Sequence, residues 1–294
     1  MKSSYPLPVI SYLRLCNPSI VVLLTFTAVA AGISAGGLNH PWQLLSIGMA
    51  VTLCSMGARS LTNYVDRDMD AQMERTRNRP IPSGRISPPN ALAFGVSITG
   101  VGLASAFPIG SLYVLLLFLG LLDNIVVYNL MTKKRTPWNI VLGAPSGGIP
   151  ALVGYAAILG RVDLVGLCLA ALVVLWTPIH IWSLAIRYRD DYARANVPML
   201  PVKLGVAQGI RCIAVTSLFL AIFTMMLPFL PGSPFGALTL WVATVLGIAL
   251  LVLSLHLIHK PTPENSWRLF KFTSPYLALI FTVMAANVVF GLAL

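Results

Sequence analysis

The hydrophobic positions of this sequence form long continuous runs, such as LTLWVATVLGIALLVLSLHLI in the C-terminal third. An α-helix crosses about 30 Å of hydrocarbon with roughly 20 apolar residues at 1.5 Å rise each. A membrane β-barrel would instead show alternating segments of about 10 residues. The continuous runs therefore predict an all-α polytopic membrane protein.

Nine stretches are long enough to span a membrane, at residues 19–37, 42–65, 90–108, 111–130, 139–160, 163–186, 209–229, 235–258 and 274–294. They take up most of the chain and leave no room for a separate soluble domain. We therefore predict one transmembrane domain over residues 1–294. The first apolar run leads straight into a full span without a small-residue cleavage context, so we predict no cleavable signal.

Composition supports a chain surrounded by a lipid bilayer. Only 10% of the residues are charged, and the mean hydropathy is +0.82. Soluble domains carry about 25% charged residues, so a water-soluble globule is excluded. The four cysteines show no CxxC spacing, and we predict free thiols at Cys16, Cys54, Cys168 and Cys212.

The net charge of +11 is a signal of membrane topology. When the 20 Lys and Arg residues are placed on the predicted spans, only Arg161 falls on the side opposite the N-terminus. Cytoplasmic loops carry the excess of basic residues, so we predict a cell-membrane protein with its N-terminus in the cytoplasm and its C-terminus outside. We expect no nucleic-acid partner.

Six of the nine acidic residues lie in two loops on the predicted cytoplasmic side. These loops contain the runs DRDMDAQMERTRNRPIP and YRDDYARANVPMLP, four spans apart, and in each run acids are followed by Arg and Pro. The pattern is typical of a degenerate internal duplication, in which two helical units each donate an acidic helix end to a shared cavity.

The first acidic run predicts a stripe of oxygen ligands. On a helix, Asp66 and Asp70 are about 40° apart in projection, and Asn63 lies three residues before Asp66, so all three face the same way. Asp68 points in roughly the opposite direction. Carboxylate and amide oxygens suit Mg²⁺. The alternative is a solvated helix end, neutralised by Arg67, Arg75, Arg77 and Arg79.

The second run places Asp190 and Asp191 next to each other, so only one of them can point squarely at a partner. Together the two runs predict a two-sided acidic site flanked by Arg and Lys. Such a site suits a diphosphate, because Mg²⁺ bridges carboxylates to phosphate oxygens and basic side chains neutralise the rest. A diphosphate at the interface with an apolar tail between helices is an isoprenoid diphosphate.

Three segments resemble the signature segments of the UbiA prenyltransferase superfamily, and are most similar to its protoheme IX farnesyltransferase (heme O synthase) branch. They are NYVDRDMDAQMERTRNRPIPSGRISP, TKKRTPWNIVLGAPSGGIPALVGYAA and WTPIHIWSLAIRYRDDYARANVPMLPVKLG, supported by the weaker LFKFTSPYLALIF. The resemblance implies nine helices around a central cavity that opens to the cytoplasmic side.

The activity that the resemblance implies is Mg²⁺-dependent transfer of a farnesyl group from farnesyl diphosphate to a vinyl group of protoheme IX (heme B). The product is heme O, which serves terminal oxidases, and heme A synthase or oxidase assembly factors are implied as partners. The alternative acceptors within the superfamily are an aromatic acid, a quinone precursor and a glycerol lipid.

The resemblance also implies roles for individual residues. Asp66, Asp70 and Asp191 are implied to be catalytic, and the implied metal ligands are Asn63, Asp66, Asp70, Asp190 and Asp191. The implied diphosphate contacts are Asn63, Arg75, Arg79, Lys133 and Lys134. The sequence departs from the superfamily in two places. Thr62 stands where the first Asn is usual, which leaves open whether Thr62 or Asn63 faces the metal. In the second motif, Tyr188 and Tyr192 replace two aspartates.

Ionisable and aromatic residues within or near the spans give further candidates. We predict that His180 contacts heme or else packs as a hydrogen-bonded residue. The rings of Tyr128, Tyr188 and Tyr192 either stabilise an allylic cation or anchor the interface. Arg59 and Asp123 either pair with each other, or Arg59 reaches the diphosphate.

Two other classes of protein fit the sequence less well. A secondary transporter has ionisable residues near the bilayer midplane, whereas these cluster at one surface. A structural or assembly subunit needs no pair of acidic motifs. The sequence therefore favours the prenyltransferase.

Overall fold

The structure, a computed structural model, describes residues 8–291, and within that range it is helical with no β-strand. The α-helices are α1 Pro8–Leu15, α2 Pro18–Ser34, α3 Pro41–Gln72, α4 Pro88–Ala106, α5 Ser111–Leu122, α6 Asn139–Gly143, α7 Pro145–Leu159, α8 Leu164–Arg187, α9 Arg189–Arg194, α10 Leu200–Lys203, α11 Val206–Met226, α12 Ala237–His259 and α13 Pro263–Val289. Short 3₁₀ turns lie at Gly37–Asn39 and Leu227–Phe229.

Eight helical segments of the described chain are long and apolar enough to cross a membrane, which confirms the predicted polytopic helical bundle. A ninth span is present if α1 and α2, which meet at a bend of 60°, count as one broken helix. The bend lies at Asn17, whose backbone is left-handed with φ of 51°. Pro18 follows directly, and a residue before proline avoids the right-handed helical conformation.

Two helices extend beyond their predicted bounds. The helix predicted at 42–65 continues as α3 to Gln72, and the one predicted from 274 begins as α13 at Pro263. Both extensions carry charged residues, which a count of apolar positions leaves out. The final three residues of the predicted span 274–294 lie outside the described part of the chain.

A widened helical segment continues α5 toward the polar end of the bundle. Residues Asp123–Thr132 form a π-helix, in which a backbone N–H bonds to the carbonyl five residues earlier. The amide of Lys133 still follows this pattern, because it donates to the carbonyl of Tyr128 at 2.8 Å. This segment therefore sets the direction in which Lys133 leaves the helix.

Close helix approach depends on glycine. A Cβ atom on Gly154 of α7 would lie 1.9 Å from the carbonyl oxygen of Ala28 on α2, and one on Gly57 of α3 would lie 2.0 Å from Thr99 on α4. Small residues let helix backbones approach in this way in membrane bundles. Large apolar side chains such as Trp241 and Phe219 point outward, as expected for a lipid-facing surface.

An apolar cavity of about 170 Å³ lies inside the bundle between α2, α3, α5 and α7. Its α3 wall runs from Val51 to Arg59, which corresponds to about 12 Å along the helix. Pro150 lies inside α7 and also lines the cavity, and Pro145 begins that helix after a break from α6. The end of the cavity at Arg59 is nearest to the acidic end of α3.

Candidate functional site

The last turns of α3 bring three oxygen-bearing side chains to one buried face. Asn63, Asp66 and Asp70 are 4%, 2% and 1% exposed. Asp68, by contrast, has a side chain that is 78% exposed. The helical spacing thus separates Asp68 from the other two carboxylates, as the sequence predicts.

Arg79 folds back onto this face from the loop that follows α3. Its Nη1 donates to both oxygens of Asp70, at 2.8 and 3.1 Å, and to Oδ1 of Asn63 at 3.1 Å. The hydroxyl of Thr76 donates to the backbone carbonyl of Asp70 at 3.0 Å and holds the loop against the helix. Charge-assisted bonds of this kind are about twice as strong as neutral ones.

Lys133 supplies the second cation. Its Nζ forms an ion pair with Oδ2 of Asp66, and both side chains are almost fully buried. Lys133 also lies 5.2 Å from the ring centroid of Tyr128. Lys134 is exposed and has no such partner in the described chain. Of the two predicted lysines, the structure therefore brings Lys133 to the carboxylates.

Thr62 and Asn63 face different neighbours. The Thr62 hydroxyl donates to Oδ1 of Asn124 and accepts from Nδ2 of Asn129, both at 3.0 Å. The side-chain amide of Asn63 donates to the carbonyl of Leu15 at 2.6 Å. Its Oδ1 accepts from Arg79, which also donates to the carboxylate of Asp70. The Asn63 oxygen therefore faces the carboxylate group.

Asn124 and Asn129 were not among the predicted site residues. Their spacing of five residues does not place them on one face of an ordinary α-helix, but the π-helical segment does so. The Nδ2 of Asn129 also donates to the carbonyl of Asn124 at 2.7 Å. The only sequence signal was the presence of two amides within an apolar span.

Asp191, on α9, ties the second acidic run to the loop after α3. Its carboxylate accepts the backbone N–H of Glu74 at 3.4 Å and that of Arg75 at 3.1 Å, and it forms an ion pair with Arg194. Asp191 is buried, whereas the adjacent Asp190 is exposed. The structure thus joins the two predicted acidic runs through one of the two aspartates.

Arg75 lies against the two tyrosines of the second run. Its guanidinium carbon is 5.4 Å from the Tyr188 ring centroid and 6.0 Å from that of Tyr192. Its Nη2 donates to the Tyr192 hydroxyl at 3.4 Å. Burial raises the pKa of Tyr192 above its ordinary value, so the phenol stays neutral. The tyrosines therefore hold Arg75 through ring faces and one hydrogen bond.

A polar cavity of about 430 Å³ opens beside these residues. Its walls come from the two acidic runs and the end of α8, and are Glu74, Arg75, Arg187, Tyr188, Asp190, Asp191 and Arg194. The mixture of acids and guanidinium groups suits an anionic ligand bound with a metal ion.

The donor set fits Mg²⁺ shared with a substrate rather than a metal cage made by protein alone. Within residues 8–291 no three His, Cys, Asp or Glu side chains are grouped closely enough to hold a metal ion. Mg²⁺ is usually bound through one or two carboxylates plus phosphate oxygens. Asp66, Asp70 and the Asn63 oxygen are hard ligands of this type.

Arg59 and Asp123 do not pair, so the first of the two alternatives for these residues, an ion pair between them, is wrong. Asp123 accepts the backbone N–H of Ser146 at 2.9 Å, at the start of α7, where a helix N-terminus favours a negative charge. The Nε of Arg59 is buried and has no hydrogen-bond partner in the described chain. Arg59 instead lines the apolar cavity.

His180 belongs to α8, and its side chain packs against α13. Its ring stacks on Trp176, with centroids 4.4 Å apart, and on Phe270, with centroids 4.3 Å apart. Its Nδ1 is 2.6 Å from the hydroxyl of Thr273. The four cysteines are free thiols, as predicted.

Comparison with known proteins identifies the family of this bundle. The model of the UbiA prenyltransferase family matches residues 23–283. The chain belongs to the UbiA prenyltransferase family. This confirms the resemblance found in the motif segments.

Two curated relatives of this UbiA-family chain are named protoheme IX farnesyltransferase. The protein from Desulforudis audaxviator is 44% identical over 282 residues, covering 95% of this chain and 88% of the relative. The protein from Thermoplasma volcanium is 39% identical over 278 residues, covering 93% and 96%.

Solved structures confirm the UbiA fold. A digeranylgeranylglyceryl phosphate synthase superposes with a TM-score of 0.78 at 17% identity, covering 96% of this chain and 99% of that one. A UbiA homologue from Archaeoglobus fulgidus bound to GPP and Mg²⁺ superposes with a TM-score of 0.64 at 17% identity, covering 94% and 99%. Together, the family match, the curated relatives and the apolar spans make the chain a multi-pass membrane prenyltransferase.

Proposed function

We propose that this protein forms heme O from farnesyl diphosphate, heme B and water. Diphosphate leaves as the farnesyl carbon bonds to one carbon of a heme vinyl group, and water adds to the other vinyl carbon as a hydroxyl group. The observation that carries the proposal is the end of α3, where buried Asp66 and Asp70 are each paired with a cation from another segment. The names of the relatives, at up to 44% identity, support heme as the acceptor.

Mg²⁺ is the implied cofactor, held by Asp66, Asp70 and the Asn63 oxygen on one side and by Asp191 on the other. The bound ion would supply positive charge to the departing diphosphate. We assign Asp191 rather than Asp190 to the second ion, because Asp191 is buried against the loop of the first motif whereas Asp190 is exposed.

Arg79 and Lys133 provide fixed positive charge at the position where the diphosphate gains negative charge. Both side chains already form ion pairs with the carboxylates of Asp70 and Asp66. When the diphosphate binds, they bind its phosphate oxygens instead. Preorganised charge in a site without bulk water stabilises a transition state without reorganisation cost. Arg75, held by Tyr188 and Tyr192, contacts the diphosphate from the polar cavity.

The apolar cavity that begins at Arg59 receives the prenyl tail. Its walls are mostly aliphatic, and it excludes water from the allylic cation that forms when the diphosphate leaves. The unpartnered Nε of Arg59 lies at the end nearest the carboxylates, where an anion would satisfy it.

The same proposal places the carboxylate end of the bundle in the cytoplasm, because the basic residues concentrate there. The membrane is the cell membrane, and heme A synthase and oxidase assembly factors are the partners that use the product. His180 contacts the heme acceptor from the interface between α8 and α13.

The test uses purified protein with Mg²⁺, farnesyl diphosphate and heme B, with mass spectrometry of the extracted heme. We expect heme O, and we expect chelation of Mg²⁺ to stop its formation. Parallel reactions replace heme with an aromatic acid, a quinone precursor or a glycerol lipid. Prenylation of one of these together with unmodified heme would overturn the acceptor and leave the family chemistry in place.

A further inference from the structure

An aromatic column runs between α8 and α13 and fixes the plane of the His180 ring. The ring stacks on Trp176 with an interplanar angle of 20° and on Phe270 with an angle of 29°. Trp267 continues the stack beyond Phe270, with centroids 4.7 Å apart. His180 therefore has little freedom to tilt.

The hydrogen bonds around Thr273 determine which nitrogen of His180 carries the proton. The Thr273 hydroxyl lies 2.7 Å from the carbonyl oxygen of Phe270 and 2.6 Å from Nδ1 of His180. In the structure the Thr273 hydroxyl donates to the carbonyl of Phe270, so its oxygen is the acceptor that faces Nδ1. The Thr273 oxygen then accepts a hydrogen bond from the N–H group at Nδ1, and Nε2 is the unprotonated nitrogen with a free lone pair.

One further contact holds this arrangement in place. The indole Nε1 of Trp176 donates to the backbone carbonyl of Thr273 at 2.6 Å, which fixes the backbone that carries the hydroxyl. No side chain within residues 8–291 bonds to Nε2 of His180, and this atom is not among the enclosed polar atoms that lack a partner. Nε2 therefore has no protein partner within the described residues and keeps its lone pair.

We propose that Thr273 is a positioning residue that holds His180 in the Nδ1–H tautomer, so that Nε2 binds the iron of the porphyrin acceptor. The inference rests on the proposed function, in which that acceptor is heme. A neutral imidazole whose other nitrogen is bonded to a fixed acceptor is the usual form of a metal-binding histidine. Thr273 would touch neither the porphyrin nor the reacting vinyl group.

The test compares Thr273→Val, which keeps the shape and removes the acceptor, with Thr273→Ser, which restores the hydroxyl. The matched control is Thr282→Val, because the exposed Thr282 lies on the same helix and bonds only to its own helix at Ala278. Ferric heme is titrated into each full-length protein in detergent, and the Soret band and the electron paramagnetic resonance spectrum report histidine ligation. Turnover with farnesyl diphosphate is measured in parallel.

We expect Thr273→Val to weaken heme binding by about 10- to 100-fold, the range found when a partner of a metal ligand is removed. Its spectrum should shift toward that of His180→Ala, and KM for heme should rise more than kcat falls. Thr273→Ser and Thr282→Val should match the unchanged protein. Thermal unfolding of each variant separates a ligation effect from a folding defect.

Two results separate this inference from the proposed function. If the unchanged protein forms heme O but Thr273→Val and His180→Ala keep its heme affinity and spectrum, the tautomer inference is wrong. If the unchanged protein shows the histidine spectrum and the loss in Thr273→Val but never prenylates heme, the inference stands and the proposed acceptor is wrong.

Discussion

The two acidic runs have similar compositions, but their carboxylates have different partners. In the first run, Asp70 bonds to Arg79 from the loop that follows α3, and Asp66 bonds to Lys133 from the end of the π-helical segment. In the second, Asp191 accepts two backbone amides of the loop after α3, and its cation, Arg194, lies three residues away on the same short helix.

The difference shows that the two runs contribute unequally to the site. The first run holds two buried negative charges, and each is balanced by a cation that can bind the substrate instead. The second positions the loop that carries Arg75 and Arg79, and it exposes its other carboxylate, Asp190. Removing the first set of charges should therefore affect chemistry, whereas removing the second should mainly affect binding.

The largest effect is expected from Asp70→Asn, which removes a charge that the proposed Mg²⁺ needs. Farnesyl transfer should fall by about 1,000-fold, at the upper end for loss of one preorganised electrostatic contact. Asp68→Asn, one helical face away and exposed, is the control and should retain its rate. Steady-state kinetics of both variants check this, and equal losses would contradict the assignment of the buried face.

The next effect concerns stability. Lys133→Met leaves the buried carboxylate of Asp66 without its cation, and breaking a buried ion pair costs about 3–5 kcal/mol. Lys134→Met removes an exposed charge and should change stability by about 0.5 kcal/mol or less. Thermal unfolding in detergent measures both, and an equal shift in the two variants would mean that the Lys133 pair contributes little.

A smaller effect is expected at the second run. Asp191→Asn weakens charge-assisted bonds to the amides of Glu74 and Arg75, which are worth about 1.5 kcal/mol, so KM for farnesyl diphosphate should rise about 10-fold. The exposed neighbour offers a comparison, since Asp190→Asn should raise KM by about twofold or less. The reverse order would assign the metal to Asp190.

The smallest effect concerns the ring of Tyr188. Tyr188→Leu removes a face 5.4 Å from the Arg75 guanidinium, an interaction worth about 0.5–1 kcal/mol, so KM for farnesyl diphosphate should rise about threefold. Tyr188→Phe keeps the face and should restore most of the affinity. If Tyr188→Phe is as impaired as Tyr188→Leu, the hydroxyl matters rather than the ring.

The fold was largely predictable because membrane spans depend on local composition. The stretches predicted at 90–108 and 163–186 lie within two residues of α4 and α8. Helix α1 was not predicted, because eight residues are too few for a span and Asn17 bends the chain before α2. The predicted apolar spans stop short of the charged ends of α3 and α13 because hydropathy leaves charged residues out, although the helical spacing of Asp66 and Asp70 already placed the end of α3 on a helix.

Only the part of the site that lies on one helix could be predicted from the spacing of residues in the sequence. The common face of Asn63, Asp66 and Asp70 follows from that spacing. Asp70 pairs with Arg79 only because the loop after α3 folds back onto the helix. Lys133 rather than Lys134 reaches Asp66 because the preceding segment is π-helical, and no residue pattern predicts that conformation. The partner of Asp123 is a backbone amide, which a search for charged side chains does not consider.

The π-helical segment at Asp123–Thr132 has a consequence for how this protein can change over evolution. A π-helical turn contains about one residue more than an α-helical turn, and each α-helical residue turns the chain by about 100°. Deleting one residue between Ile125 and Tyr128 would leave Asn124 and Asn129 four positions apart, the spacing that an ordinary α-helix places on one face. The segment could therefore lose its extra residue through a gap of a single codon and still direct Lys133 toward Asp66.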